Sequence, residues 1–334
     1  MHRNLAASAV FAVLAAFVGR GSRGLAAQGV LVSGRVVRGG ATERPLARAW
    51  VVLHQVSMDG GGKPIDSTRT DTRGAFTLAL ARADTGSLYV ASSWYAGIAY
   101  FSEPVAGTRR STALPPIYVY DTSSTGPAVR VARRLVTIAR RKRDGARDAL
   151  ELVELENPGA KTRIAPDTLQ PTWAGAIPRV AIQFRVGQGD ISPQAMALRG
   201  DSVAVFGPIP PGARKQLSYA YVLPGDVRSL SVPIDQPTAE VDLLLEDTTA
   251  VVTAARLDSL GIEGIEGRRF ARYRMRDVAP GAGLAIVLPL GGLQAQALVP
   301  VVVALAAIVL GIGFVVALKR HPSSVVRRPN SDDG

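Results

Sequence analysis

The sequence predicts an all-β protein with two or three β-sandwich domains, preceded by a signal peptide and followed by one C-terminal transmembrane helix. Three observations support this prediction. Short runs of alternating apolar and polar residues, separated by glycine and proline, recur from residue 30 to residue 290, as is typical of strands. Residues 297–318 contain no charged residue. Residues 1–27 have the layout of a secretory signal.

The N-terminal segment predicts export. His2 and Arg3 precede an apolar run at residues 5–18, and small residues follow at Ala26 and Ala27. A basic start, a short apolar core and small residues near a cleavage position are the parts of a secretory signal peptide. The apolar core is also shorter than a membrane span requires. We therefore expect residues 1–27 to be removed, with cleavage near Ala26 or Ala27.

The uncharged segment at residues 297–318 predicts a transmembrane helix. As a helix it would be roughly 33 Å long, against roughly 30 Å of bilayer hydrocarbon. Lys319 and Arg320 follow it directly, whereas residues 278–296 carry no charge. By the positive-inside rule, residues 319–334 form a cytoplasmic tail and the bulk of the chain lies outside.

The span also holds a candidate helix–helix contact. Ala307 and Gly311 are two small residues four positions apart. Such a pair lets the backbones of two membrane helices approach closely.

Composition argues against several kinds of chemistry. The chain has no cysteine, so disulfides, thiolate metal sites and cysteine nucleophiles are excluded. Of three histidines only His54 lies in the predicted outer region. The sequence contains no nucleophile elbow, zinc-binding His-Glu-x-x-His motif or phosphate loop. We predict no catalytic, cofactor or metal residue. The formal net charge is +12, but an exported chain is not expected to meet nucleic acid.

The first outer domain is predicted at residues 30–110. It contains about seven short strands, and residues 71–74, Asp-Thr-Arg-Gly, predict a hairpin turn that joins strands at residues 65–70 and 75–80. The motifs Gly-Arg-Val-Val at 34–37, Pro45-Leu46 before an apolar strand and Thr-Asp-Thr-Arg-Gly-Ala-Phe at 70–76 resemble those of the carboxypeptidase regulatory-like domain. The resemblance implies a seven-stranded, transthyretin-like sandwich that serves as a non-catalytic module of exported proteins.

A linker at residues 111–116 leads to a second all-β, Ig-like region at residues 117–290, which could be one sandwich or two. Segment 250–260 is the one stretch there with a possible helical period. Gly261, Gly264 and Gly267 predict a loop.

A basic cluster, Arg140, Arg141, Lys142 and Arg143, falls at a predicted turn between two strands. One interpretation is contact with anionic lipid or an acidic partner, at about 1 kcal/mol per basic residue near an anionic surface. The other is a solvated hairpin tip that neighbouring glutamates balance.

These features together predict a bacterial cell-membrane protein that binds or scaffolds a protein partner at the membrane surface without catalysis. A carbohydrate-binding module is the second hypothesis, with stacking candidates Trp94, Tyr95, Tyr100 and Trp173. The third is a hydrolase that uses His54 as its base.

Overall fold

A computed structural model of the chain describes residues 30–57, 61–81, 84–108, 111–212 and 214–289. The predicted signal peptide, transmembrane helix, cytoplasmic tail and the Ala307–Gly311 pair lie outside these residues. Within the described ranges, no helix has the length and apolar character needed to cross a membrane. The described chain is nearly all β, with one turn of 3-10 helix at Pro193–Ala195. The predicted all-β class is therefore confirmed.

The chain divides into two compact units. Residues 30–37, 44–94 and 99–118 form the N-terminal unit, and residues 38–43, 95–98 and 119–289 form the C-terminal unit. Each unit has its own sheets and is described by itself.

The N-terminal unit contains two five-stranded sheets. Its strands are β1 (Val30–Arg38), β2 (Arg44–Pro45), β3 (Trp50–Val56), β4 (Gly62–Arg69), β5 (Ala75–Leu80), β6 (Leu88–Tyr95), β7 (Ile98–Phe101), β8 (Val105–Ala106), β9 (Ser111–Ala113) and β10 (Ile117–Val119). In the first sheet β1 pairs with β2, β5, β9 and β10. The second sheet has the order β4-β3-β6-β7, with β8 also paired to β6. Residues 111–113 of the predicted linker thus belong to a strand, β9, which runs parallel to β1.

A turn forms before β5 at the predicted residues, but the predicted hairpin is wrong, because β4 belongs to the second sheet whereas β5 pairs with β1 in the first. The Asp71 carboxylate accepts hydrogen bonds from the backbone N–H groups of Arg73 and Ala75, both at 2.8 Å. Gly74 has a φ of 72°, a left-handed conformation that costs glycine little. Its backbone N–H donates to the Asp71 carbonyl oxygen. The turn leads the chain into β5, which pairs antiparallel with β1.

The C-terminal unit is built around a seven-stranded sheet of order β16-β19-β13-β12-β21-β24-β23. Two three-stranded sheets, β15-β18-β17 and β20-β25-β22, and the pair β11-β14 complete the unit. The strands are β11 (Thr122–Ser123), β12 (Arg130–Ile138), β13 (Arg147–Glu156), β14 (Thr162–Arg163), β15 (Trp173–Ala176), β16 (Ile182–Val186), β17 (Met196–Arg199), β18 (Ser202–Val205), β19 (Lys215–Leu223), β20 (Ser229–Val232), β21 (Thr238–Leu245), β22 (Val251–Thr253), β23 (Asp258–Ile265), β24 (Arg268–Val278) and β25 (Leu284–Val287).

One face of the seven-stranded sheet supplies most of the core. In β13 the buried positions alternate from Arg147 to Leu155, as the period of two in a half-buried strand requires. The core cluster joins this face to residues of both three-stranded sheets, such as Val203 and Ile286. The central strand β12 runs antiparallel to β13 and parallel to β21.

The helical alternative for residues 250–260 is wrong, and so is the loop predicted around the three glycines. The segment instead forms β22 and the first part of β23. Gly261 and Gly264 lie within β23, which pairs antiparallel with β24. The chain reverses at Glu266 and Gly267, with φ values of 48° and 75°. Pairing with β24 therefore outweighs the helical spacing of apolar residues and the glycine repeat. The backbone hydrogen bonds between two strands form whatever the spacing of apolar side chains.

Candidate functional site

The N-terminal unit exposes three large aromatic side chains on one of its sheets. Trp50, Trp94 and Phe101 are 46%, 64% and 61% exposed. They lie on β3, β6 and β7, which are neighbours in the second sheet. We call the surface formed by Trp50, His54, Ser92, Trp94 and Phe101 the aromatic face.

Strand alternation places these side chains on one side of the sheet. In β3, Val51 and Leu53 are fully buried, so Trp50 and His54 point to the opposite side. The register pairs Val51 with Ser93, which puts Trp50 beside Trp94 on the next strand, at a strand spacing of about 5 Å. Two tryptophans thus lie side by side on an exposed sheet surface.

The centre of the aromatic face is polar. His54 Nε2 and Ser92 Oγ are 2.8 Å apart and share a hydrogen bond. The His54 ring also contacts Phe101, with 6.1 Å between ring centroids and an angle of 48° between planes. Partial burial lowers the pKa of His54 below its usual 6.5. The imidazole is therefore neutral at pH 7 and offers one donor and one acceptor.

A single cation lies at the edge of the aromatic face. Arg69 on β4 pairs with Trp50, and its guanidinium lies 5.6 Å from the centroid of the Trp50 ring. This is cation–π range. The register of β3 with β4 and β6 puts no carboxylate on the outward positions of those strands as the structure describes them. The surface is thus aromatic and weakly basic.

The aromatic residues named as sugar-stacking candidates have different surroundings. Trp94 is exposed on the aromatic face. Tyr100 and Trp173 are buried, and the Trp173 indole N–H donates to Gln236 Oε1 at 2.7 Å. The prediction that a ligand stacks on Tyr100 and Trp173 is therefore wrong, because neither ring has an accessible face. The Tyr95 hydroxyl donates to Asp121 Oδ1 at 2.7 Å.

Trp50 and Phe101 were missed as candidates. Residues 50–53 are all apolar, so the sequence shows no alternation that places Trp50 outward. Tyr100 and Phe101 are adjacent aromatic residues, and only the structure shows that Tyr100 is the buried one.

The basic cluster at the β12–β13 turn is largely engaged within the protein. Arg141 donates to the carbonyl oxygens of Gly145 and Gly225. Lys142 forms an ion pair with Asp148. Arg140 donates through its backbone N–H to Glu246 Oε2, and its half-exposed guanidinium lies 3.7 Å from Oε1. Arg143 is exposed.

A buried arginine cluster, formed by Arg134, Glu151, Tyr219 and Tyr221, lies in the core of the C-terminal unit and was not predicted. Glu151 accepts hydrogen bonds from Arg134 Nε at 2.7 Å, Tyr219 Oη at 2.9 Å and Tyr221 Oη at 2.8 Å. All four side chains are buried. The alternation of β13 places Glu151 inward, between Ala149 and Val153. A glutamate at an inward position of an alternating strand was the sequence feature from which a buried polar cluster could have been predicted.

The buried arginine cluster joins the central sheet to segments of the two small sheets. Arg134 donates from Nη1 to the Pro233 carbonyl oxygen and from Nη2 to the Ala176 carbonyl oxygen. Burial is the largest single influence on Arg134 and would lower its pKa, but the charge of Glu151, its hydrogen bond and the two tyrosines together raise the pKa above its usual value. Burial, then the Glu151 charge, raises the pKa of both tyrosines well above 10. Arg134 therefore stays protonated and both tyrosines stay neutral at neutral pH, which suits a structural role.

A small cavity adjoins this cluster. Its volume is about 10 Å³, and Arg134, Trp173, Tyr219 and Gln236 are among its lining residues. That volume is enough for about one water molecule. It is too small for an organic substrate.

No residues in the described part of the chain group into a metal site of three or more histidine or carboxylate ligands. No protein-family model matches the sequence, and no curated protein matches it.

Two solved structures share a limited likeness to the chain. One is a 9R-lipoxygenase from Cyanothece, with TM-score 0.22 and 11% identity over 32% of this chain and 19% of that one. The other is a putative nutrient binding protein from Legionella pneumophila, with TM-score 0.28 and 13% identity over 50% of this chain and 70% of that one. The chain thus spans about a fifth of the lipoxygenase. Likenesses this low carry no argument about function.

Proposed function

We propose that this protein is a non-catalytic, single-pass protein of a bacterial cell envelope, whose outer β-sandwich domains bind a partner at the membrane surface. In this proposal the N-terminal unit is a carboxypeptidase regulatory-like sandwich, and its aromatic face is the binding surface. The observation that carries the proposal is the exposure of Trp50, Trp94 and Phe101 side by side on one sheet.

Three large aromatic rings are exposed to water on the aromatic face, and a partner that covers them would gain binding free energy. A fully buried aromatic side chain removes roughly 150–250 Å² from solvent. At about 25 cal/mol per Å² that is roughly 4–6 kcal/mol for one ring that goes from full exposure to full burial. The three rings are already partly covered, so the available gain is smaller, but three adjacent rings still form an apolar patch of the kind that marks interaction sites.

The hydrolase hypothesis has less support. His54 and Ser92 do lie within hydrogen-bonding distance, which is the first requirement of a serine nucleophile with its base. Ser92 is buried, however, so a substrate carbonyl could not reach its hydroxyl. Among the hydrogen bonds of the described residues, none joins His54 to a carboxylate that would orient the ring.

Binding by the aromatic face is tested with the full-length chain extracted from its own membrane. Trp50→Ala, Trp94→Ala and Phe101→Ala are combined in one variant, and Leu31→Ala serves as the control because Leu31 is 48% exposed on the other sheet of the same unit. We expect the triple variant to lose the material that copurifies with the wild type and the control to retain it. Equal recovery with all three proteins would contradict the proposal.

The predicted topology has an independent test, because the chain contains no cysteine. Single-cysteine variants at Arg143 and at Ser331 are exposed to a membrane-impermeant maleimide. We expect Arg143→Cys to react in spheroplasts and Ser331→Cys to react only after lysis. The reverse pattern would overturn the orientation.

A further inference from the structure

We propose that the aromatic face binds a neutral polysaccharide strand, which lies across β3, β6 and β7 with successive sugar rings against Trp50, Trp94 and Phe101. This inference rests on the proposed function, since it names the chemical class of the partner at the same surface. Three features of the face support it.

The first feature is the spread of the rings. Trp50 and Trp94 occupy neighbouring positions on adjacent strands, about 5 Å apart. Phe101 lies on the strand beyond. The Ser102 N–H donates to the Ala91 carbonyl, so Phe101 lies beside Ser92, two residues or about 7 Å along the strand from Trp94. The platform is therefore longer than one sugar ring and suits an extended chain of them.

The second feature is the shape of the surface. The rings project from strand residues and not from loops: Trp50 begins β3, Trp94 lies one residue before the end of β6, and Phe101 ends β7. Pyranose rings present C–H groups on their broad faces, and these pack against the negative face of an aromatic ring. A loop-borne set of aromatic side chains would instead suit insertion into a bilayer.

The third feature is the polar centre. The His54 imidazole is only partly buried, and a neutral imidazole can donate one hydrogen bond and accept another, as the hydroxyl groups of a sugar do. Ser92 is buried beneath it and holds the ring through the hydrogen bond to Nε2. Arg69 is the one cation that the structure describes in contact with the rings. An anionic polysaccharide repeats its charge along the strand, so several cations would be expected beside the rings.

The test is cosedimentation of the full-length chain with insoluble polysaccharide. Cellulose, chitin and insoluble starch, all uncharged, are the three probes, and the detergent must lack a sugar headgroup, since such a headgroup would compete. We expect retention on at least one probe that does not change between low and high salt. Trp94→Ala and Trp50→Ala should each weaken the apparent affinity about tenfold or more, and Leu31→Ala should not.

Three outcomes would overturn the inference. They are no retention on any of the three probes, retention that Trp50→Ala and Trp94→Ala leave unchanged, and retention by anionic vesicles but by none of the polysaccharides. The triple variant could lose a copurifying protein while the wild type binds none of the three polysaccharides. That result would support the proposed function and contradict only the polysaccharide inference.

Discussion

Arg134 on β12 and Glu151 on β13 form a diagonal pair across neighbouring strands, with side-chain exposures of 7% and 0%. The pair lies in the core of the C-terminal unit, where water does not screen it.

Removal of Glu151 alone should strongly destabilise the C-terminal unit. Glu151→Ala leaves the Arg134 guanidinium buried without its counter-ion, and we expect the free energy of unfolding to fall by about 3–5 kcal/mol. Replacing the whole cluster with Arg134→Met, Glu151→Leu, Tyr219→Phe and Tyr221→Phe should restore most of that loss. Urea unfolding followed by circular dichroism measures both. A loss under 1 kcal/mol for Glu151→Ala would show that the cluster is not a structural unit.

The two buried tyrosines should make the protein sensitive to alkali. Because their pKa values lie well above 10 in the folded protein, the unfolded chain loses these protons first as the pH rises. The stabilisation is complete below pH 10 and falls by about 1.4 kcal/mol per pH unit for each tyrosine above it. Tyr219→Phe with Tyr221→Phe should flatten this decline. Urea unfolding between pH 9 and pH 12 measures the free energy of unfolding as a function of pH. The same slope for the wild type and the double variant would refute the prediction.

His54 should titrate below 6.5, since burial lowers the pKa of its ring. The unfolded chain then takes up the proton at a higher pH than the folded protein. The contribution of His54 to stability is complete above pH 6.5 and is lost as the pH falls through the folded pKa. The ring C–H signals in NMR, assigned by comparison with His54→Gln, give the midpoint. A midpoint at or above 6.5 would be inconsistent with the burial of the ring.

Two glycines with positive φ should tolerate alanine unequally. At Gly74 an added Cβ would lie 2.6 Å from the Val36 carbonyl oxygen, whereas at Gly97, with φ 80°, nothing lies within 4 Å. Gly97→Ala should cost about 1 kcal/mol from backbone strain alone. Gly74→Ala should cost clearly more, because the Val36 backbone must move. Thermal unfolding of the two variants compares them directly, and equal melting temperatures would contradict this account.

Several strands could be predicted from local sequence. Residues 75–80 alternate between larger apolar side chains and alanine or threonine, and they form β5 with those bounds. Residues 71–74 contain both the aspartate that accepts the hydrogen bonds of the turn and the glycine that adopts its positive φ. Both depend on neighbours within a few residues, which is where alternation and turn propensity act.

Relationships between distant strands could not be predicted in the same way. Trp50 and Trp94 become neighbours only through the register of β3 with β6, and alternation gives the side of each strand but not its partner. The same holds for Glu151, whose inward direction follows from β13, while Tyr219 and Tyr221 meet it through the register of β13 with β19.

The parallel pairing of β12 with β21, which joins Ile138 to Leu245, determines when the C-terminal unit can fold. During synthesis β12 and β13 emerge first and can pair at once as a hairpin. The other edge of β12 stays open until β21 has also emerged, because β21 is its partner among the described strands. Contacts between residues so far apart in sequence close slowly, and an open strand edge is available to other chains meanwhile. Chain termination anywhere before residue 238 therefore leaves the central strand half paired, and such fragments should aggregate.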